Sequence, residues 1–521
     1  MPQSFPPPGP YQDPREADGT VPPFHARPVP REQNPYAQPV PPPAGPYAQG
    51  SFTPATAEPS SPVGRPGKRR GRQAAAGRRT GGRAVLAVAA AVALLLVGVG
   101  VYALAKGAPG HRSGPAAAGG TGAGLLTAGR PYRPDLAYLW NKTADPVAAE
   151  DGQYDTLGLW FVGRYAVKNE IGKVVAYDID TGARAWSIPA PGRRDCSAAR
   201  DSYAGLTAVQ YGTSCEKVMA IDLAAGKVRW TVALPGGTGG QLDFAFSEMA
   251  ISGDTLAVDW LTGSAGYRLS DHRPLWHSGY DASCNTDGYA GGARLVSVVN
   301  CNARAYEVEL LDPARHGAAT WKWSAPGGTV MSAVVSTDPV IVMIGTQGVP
   351  YRDVIALDDA GHQRWRISLG SGKYHIDSDG NELQAVHNVL VSGDAVYLSL
   401  GRDTAGQDRS IGGIVAFGLA DGRQRWVAKS DALHSITAIG FQDGKLLAYE
   451  PPDPLARGWL VAVDPATGAI RRYATLPVDS YSRLGQLVMR SYPLWHNGSL
   501  YIVARSVYAT TGHQAYLVAL G

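Results

Sequence analysis

Through the last two-thirds of the chain, apolar and polar positions repeat in one order: a hydrophobic strand, an Asp, a few small residues, a Gly, a basic residue and a Trp. The first copy is Val175-Ala176-Tyr177-Asp178-Ile179-Asp180-Thr181-Gly182-Ala183-Arg184-Ala185-Trp186, and the second ends Asp222-Leu223-Ala224-Ala225-Gly226-Lys227-Val228-Arg229-Trp230. Looser copies lead to Trp276, Trp323, Trp365, Trp426 and Tyr473, the last an aromatic in place of Trp. An eighth, Tyr516-Leu517-Val518-Ala519-Leu520-Gly521, stops before any aromatic.

From Trp186 onward these aromatics lie 44, 46, 47, 42, 61 and 47 residues apart. A period in the forties suits one four-stranded propeller blade, which buries its two faces by stacking on its neighbours. In the sixth unit the strands read as Leu383 to Val391, Ala395 to Leu400, Gly413 to Leu419 and Arg423 to Val427, with Asp421-Gly422 as the last hairpin turn. Its extra length falls in a polar loop, Gly401 to Ser410. Asp accepts local backbone N–H groups, Gly takes the positive φ of a tight turn, and Trp fills the space between adjacent sheets. The repeated residues therefore read as scaffold.

A circular array must hide its edge strands. The final copy lacks an outer strand, and the domain begins with Leu136-Ala137-Tyr138-Leu139-Trp140, which can dock beside it and supply the missing aromatic. The expected fold is all-β: an eight-bladed propeller of four-stranded blades over residues 133–521. Seven blades is the alternative if the fourth, weakest copy is miscounted.

The front third differs physically. Residues 1–66 hold 20 of the 39 prolines, with Gly-Pro-Tyr and Asn-Pro-Tyr phrases at Tyr11, Tyr36 and Tyr47. Such a stretch buries too little apolar surface to fold and is expected to be disordered. A basic run from Arg65 to Arg83 then meets residues 84–105, which are 22 uncharged residues rich in Val, Leu and Ala. That length predicts one transmembrane helix or signal-anchor. The flanking Arg and Lys place the tail of residues 1–83 in the cytoplasm, and 106–132 reads as a flexible linker. The expectation is thus a cell-membrane protein touching the lipid bilayer through 84–105, its propeller extracellular. A cleaved signal peptide is the alternative. Residues 1–83 carry 11 basic and 5 acidic side chains, so a chain of net +4 leaves −2 for residues 106–521. Nothing in that balance points to nucleic acid.

Four cysteines sit in parallel places: Cys196 and Cys215 follow Trp186 by 10 and 29 residues, and Cys284 and Cys301 follow Trp276 by 8 and 25. The parallel favours Cys196–Cys215 and Cys284–Cys301 among three possible pairings, with four buried thiols as the alternative. Disulfides suit an extracytoplasmic domain.

The repeated phrases from 133 to 521 resemble the pyrroloquinoline-quinone (PQQ)-like β-propeller family. The layout of tail, anchor and propeller resembles membrane proteins of high-GC Gram-positive bacteria. The family includes quinone-dependent dehydrogenases and a non-enzymatic propeller lipoprotein that helps assemble outer-membrane proteins. The resemblance implies, for the enzymatic branch, adjacent cysteines over the cofactor and a calcium site of Glu, Asn and Asp. This sequence has no Cys-Cys pair, and Asp178, Asp222, Asp358 and Asp464 match turns.

There is also no Gly-x-Ser-x-Gly elbow, P-loop or His-Glu-x-x-His. His375, Asp377 and Asp379 form the most ligand-like local cluster, but Asn388 stands where an EF-hand loop beginning at Asp377 needs Glu. No catalytic, metal or cofactor-binding residue is assigned, and no cofactor is expected. The expected function is a non-catalytic binding or scaffolding module with a protein, peptide or glycan at the propeller face. The alternative is a quinone-dependent oxidoreductase with calcium.

Overall fold

The computed structural model describes residues 133–148 and 152–521, except 193–195, 238–239, 241–242, 282, 303–304, 370–373, 377–381, 385, 402–411, 431–435, 488–489 and 510–511. The chain divides into two units, 1–107 and 108–521, and every described residue belongs to the second.

Among the described residues, eight blade sheets form a ring, and a separate two-stranded sheet pairs Gln153–Asp155 with Ser506–Tyr508. The first blade runs Leu159–Val162, Tyr165–Glu170, Lys173–Asp178, Arg184–Pro189, each strand antiparallel to the one before. The third to seventh blades repeat this order from Glu248–Ser252 to Ile470–Thr475. In the second blade three strands form the sheet, and an isolated Ala198–Val209 bridge marks the innermost position. The eighth blade is built from both ends of the domain: Ser491–His496, Ser499–Ala504 and Gln514–Leu520 are completed by Tyr138–Ala144. The eight-bladed reading holds, with the predicted N-terminal strand closing the circle.

The middle strands explain why the pattern is so apolar. Thr255–Trp260, Ala395–Leu400 and Gly413–Gly418 are buried at every position, because each face of a blade is covered by another blade. The outer strand Gln424–Lys429 instead alternates exposed and buried residues, as a strand with one solvated side must.

Blades are pinned to one another by the repeated aromatics. Trp140, Trp186, Trp276, Trp365 and Trp426 lie against Gly182, Gly226, Gly317, Gly422 and Gly468, the left-handed turn glycines of the next blade. A Cβ there would enter the indole, so the turn and the Trp are matched parts. Where the third blade offers His272 instead, Trp230 meets its ring at 5.8 Å. Four indoles also donate from Nε1 to a carbonyl of the neighbouring turn: Trp140 to Ile179 at 3.0 Å, Trp230 to Leu269 at 2.7 Å, Trp365 to Leu419 at 2.8 Å and Trp426 to Pro465 at 2.9 Å.

Two aromatics differ from expectation. In the fourth blade the inter-blade plate is Trp321, not Trp323. Trp321 pairs with Leu310 just before the ladder irregularity that follows the Trp in the other blades, and its ring lies against Gly361. Trp323 pairs with Val308 and is only half-buried. With Trp321 the flanking intervals become 45 and 44 residues, closer to the rest. Tyr473 falls inside a register shift and meets Trp495 of the eighth blade edge-on, with ring centroids 6.4 Å apart.

The inner strand of the sixth blade is Val389–Ser392, shorter than the expected 383–391. The described residues 382–384, 386 and 387 lie outside this ladder, and the Asn388 carbonyl still accepts from the Ser399 N–H at 2.8 Å.

The membrane reading requires correction. No described helix is long and apolar enough to cross a membrane, and the one α-helix among the described residues is the five-residue Ser480–Leu484. The expected span 84–105, the tail 1–83 and the linker 106–132 lie outside the described residues. Among the described residues there is no transmembrane helix. The signal-anchor, the bilayer partner, the cytoplasmic N-terminus and the extracellular placement are withdrawn with it.

Candidate functional site

The two faces of the ring are built differently. First-to-second and third-to-fourth strand turns lie on one face and are tight, as at Gly163-Arg164 and Asp178–Gly182. The second-to-third turns and the blade-to-blade connections lie on the other, which receives every longer segment; we term it the loop face.

Both disulfides lie on the loop face. Cys284 opens its inner strand and pairs in register with Cys301, the last residue of the second strand. Cys196 enters the second blade and bonds Cys215 in the turn after Leu206–Tyr211. Each staples the start of a blade to its own second-to-third turn, and no described cysteine is free.

Between the stapled second and fourth blades, the third blade presents Phe246, Leu261 and Tyr280, which are 77%, 51% and 66% exposed. Neighbouring residues of the same turns are packed together. Phe244 packs on Trp260 at 5.6 Å, Trp260 stacks with His277 at 6.4 Å, and the Leu261 N–H donates to the Ala245 carbonyl at 3.1 Å. Three large apolar side chains exposed on one face of one blade are candidates for a contact surface.

The second feature is the central channel, lined by the inner strands. Residues 382–384 and 386–388 run through it. The Leu383 N–H donates to Glu248 Oε1 of the third blade at 2.9 Å, and its carbonyl accepts from Val334 of the fifth at 2.8 Å. Its side chain approaches Gly288 of the fourth blade. The Gln384 amide closes a two-way bond with the Gly291 backbone, at 2.9 and 3.3 Å, and its carbonyl accepts from Arg200 of the second blade. His387 stacks on Tyr492 of the eighth blade at 3.9 Å and meets Arg505 at 3.4 Å. One short segment thus touches five other blades.

Charge converges on it. Burial, with Asp259 beside it, pushes the Glu248 carboxyl well above the ordinary carboxylate range. Burial does the same to Asp259, whose Oδ1 has no hydrogen-bond partner among the described residues. Burial raises Asp287 and pushes Glu382 up to about 7. It also lowers the Lys168 ammonium to about 7, where it donates to the carbonyls of Thr156, Gly158 and Asn169.

Sequence reasoning brought the cysteines into their pairs and the aromatics between blades. It missed Glu248, Leu383, Gln384 and Phe246. One signal was available: 24 residues separate Trp365 from the next inner strand, against 8 to 19 in other blades. The excess length of the sixth unit was assigned entirely to 401–410, most of which lies outside the described residues, as do Asp377 and Asp379.

Leu383 and Gln384 lie against Gly288 and Gly291 in this channel, and among the described residues no three His, Cys, Asp or Glu side chains are arranged to hold a metal ion.

Among solved structures, the chain is similar to BamB from Moraxella catarrhalis, at 14% identity and a TM-score of 0.43, over 74% of this chain and 97% of that one. Quinohemoprotein alcohol dehydrogenase ADHIIG from Pseudomonas putida HK5 gives 10% identity and a TM-score of 0.44, over 76% and 77%. The quinohemoprotein alcohol dehydrogenase from Comamonas testosteroni gives 11% and 0.45, over 74% and 76%. No curated protein matches the sequence. None of these comparisons carries an anchor or an organism over to this chain, so the expectation of a membrane-anchored protein from a high-GC Gram-positive bacterium is withdrawn. A family model described as outer membrane protein assembly factor BamB matches residues 143–300 and 302–516. The chain belongs to the PQQ-repeat β-propeller family that this model defines.

Proposed function

We propose that the protein is a non-catalytic binding or scaffolding module whose partner is a protein or peptide docking on the loop face. The observation that carries this reading is that Phe246, Leu261 and Tyr280 are each exposed on the loop face of the third blade, between two disulfide-stapled blades. Aromatic anchors on a rigid support are what a binding surface needs, because little side-chain freedom is lost when a partner covers them. A glycan would use the rings but leave Leu261 without an apolar neighbour. The description of the matched family, an assembly factor, agrees with a scaffold.

The test uses a photo-reactive residue at Tyr280 and, as a control, at Tyr203, which is 45% exposed on the opposite face. Discrete protein adducts from Tyr280 alone, lost when Phe246 and Leu261 become Ser, are expected. Equal adducts from both positions would refute the surface. Titration with PQQ and calcium addresses catalysis: saturable one-to-one uptake of the quinone would overturn the non-catalytic reading.

A further inference from the structure

We propose that the Cys284–Cys301 bond is a reversible thiol–disulfide exchange site, open to a dithiol at the loop face, and that Cys196–Cys215 is closed to the same reagent. The inference rests on burial and strand register and is independent of the docking surface.

The two bonds differ in access. Cys284 is exposed and Cys301 half-buried, both at the loop-face end of the first two strands of the fourth blade. Cys196 is 8% exposed and Cys215 0%, and both belong to an apolar cluster with Val218, Leu234 and Phe244. Exchange begins when a thiolate reaches one of the two sulfurs, so exposure decides which bond reacts.

The ladder makes the exposed bond reversible. Cys284 and Cys301 are register partners, followed by Asn285 with Asn300 and Thr286 with Val299. On the other side of the bond the Asn302 N–H donates to the Ser283 carbonyl at 2.9 Å. The entry to the strand is tied independently of the sulfurs. The Asp281 carboxylate accepts from the Ser283 N–H at 2.8 Å, and the Asn285 side-chain oxygen accepts from the Asp281 N–H at 2.8 Å. Backbone pairing therefore flanks the bond on both sides, and the two thiols of the reduced form stay opposite each other.

In the exchange, one thiolate of the dithiol attacks Cys284 Sγ, the sulfur of the more exposed residue. The Sγ–Sγ bond breaks, its electron pair leaves with Cys301, and a mixed disulfide forms on Cys284. The second thiolate of the reagent then attacks the reagent's own sulfur in that mixed disulfide and closes the reagent's ring. Cys284 leaves as a thiolate, and the two cysteines take up the two protons that the reagent lost. The protein gains two electrons and the dithiol gives them up. The oxidised reagent runs the same steps backwards.

The test reduces the full chain with dithiothreitol without denaturant, quenches samples with iodoacetamide, and maps the remaining bonds by mass spectrometry after unfolding and a second alkylation. Cys284 and Cys301 are expected to label together, at least about tenfold faster than Cys196 and Cys215, whose bond must wait for a local opening. Far-ultraviolet circular dichroism should not change during that phase, and oxidised dithiothreitol should restore Cys284–Cys301 alone. Labelling of Cys196 and Cys215 at an equal or greater rate overturns the proposal. So does an absence of labelling at Cys284 and Cys301 until the circular dichroism signal is lost. Re-oxidation to crossed or intermolecular bonds overturns the reversibility argued from the ladder.

Discussion

Gly468→Ala tests the matched turn and Trp between the sixth and seventh blades. Gly468 has φ of +75°, and an added Cβ would lie 2.7 Å from Trp426 Cε3 and 2.8 Å from Cδ2. A left-handed residue with a Cβ costs about 1–2 kcal/mol. Carbon atoms rest at about 3.5–4.0 Å, so the indole must also move, at an overpacking cost of about 1–3 kcal/mol. The substitution is expected to cost about 2–5 kcal/mol in total. Gly444→Ala is the control, because its φ is +72° but nothing lies within 4 Å, which leaves the conformational cost alone, about 1–2 kcal/mol. Trp426→Ala by itself should cost about 3–5 kcal/mol. In that background nothing obstructs the new Cβ, and Gly468→Ala should fall to the cost of Gly444→Ala. The double-mutant cycle should thus show a coupling of about 1–3 kcal/mol. Urea denaturation followed by far-ultraviolet circular dichroism measures it, given equal slopes for all four proteins. Additivity within about 0.5 kcal/mol would refute the argument that the glycine is fixed by the ring.

Other consequences are checked more simply. Trp321→Ala should destabilise by about 3–5 kcal/mol and Trp323→Ala by clearly less, measured as urea midpoints. Replacing Cys196 and Cys215 by Ser releases a loop of sequence separation 19 and should cost about 3 kcal/mol, seen as a lower Tm in oxidising buffer only. The Asp464 carboxyl is held down to about 2, chiefly by Lys445 and also by the N–H groups of Ala466 and Thr467. Its contribution is therefore present above the ordinary carboxyl range and lost as pH falls through about 2. The Ala466 amide resonance should titrate there, and Asp464→Asn should remove the transition.

The ring was legible because its parts are local and repeated. An Asp, a left-handed Gly and a Trp at fixed spacing report a hairpin wherever they fall, and Trp140 betrayed the closing strand by completing an incomplete count. The fourth blade misled for the same reason: Trp321 and Trp323 both satisfy an alternating strand, and only the Gly361 contact separates them. Residues 382–388 were illegible because Leu383 and Val386 satisfy an apolar strand pattern equally well in a channel or in a sheet. Glu248 and Asp259 looked like ordinary strand residues, since burial by a segment more than a hundred positions away leaves no local mark. Phe246, Leu261 and Tyr280 are separated in sequence and share the loop face of one blade only through its turns. The apolar run 84–105 showed the opposite weakness, where composition alone suggested an element that no described helix supplies.

The strand Tyr138–Ala144 has a history as well as a place. Its partner in the ladder runs to Leu520, with Trp140 opposite Ala519. A ribosome adding about 5–20 residues per second needs roughly 20–75 s to travel from one to the other. Through that interval the strand is an orphan edge, kept company only by blades that do not pair with it, and open to pairing with another chain. Lys142, whose ammonium lies over the Trp140 and Tyr177 rings in the finished ring, places a charge in the middle of that edge. The last strand of the propeller to be made is thus the one that ends the danger for its first.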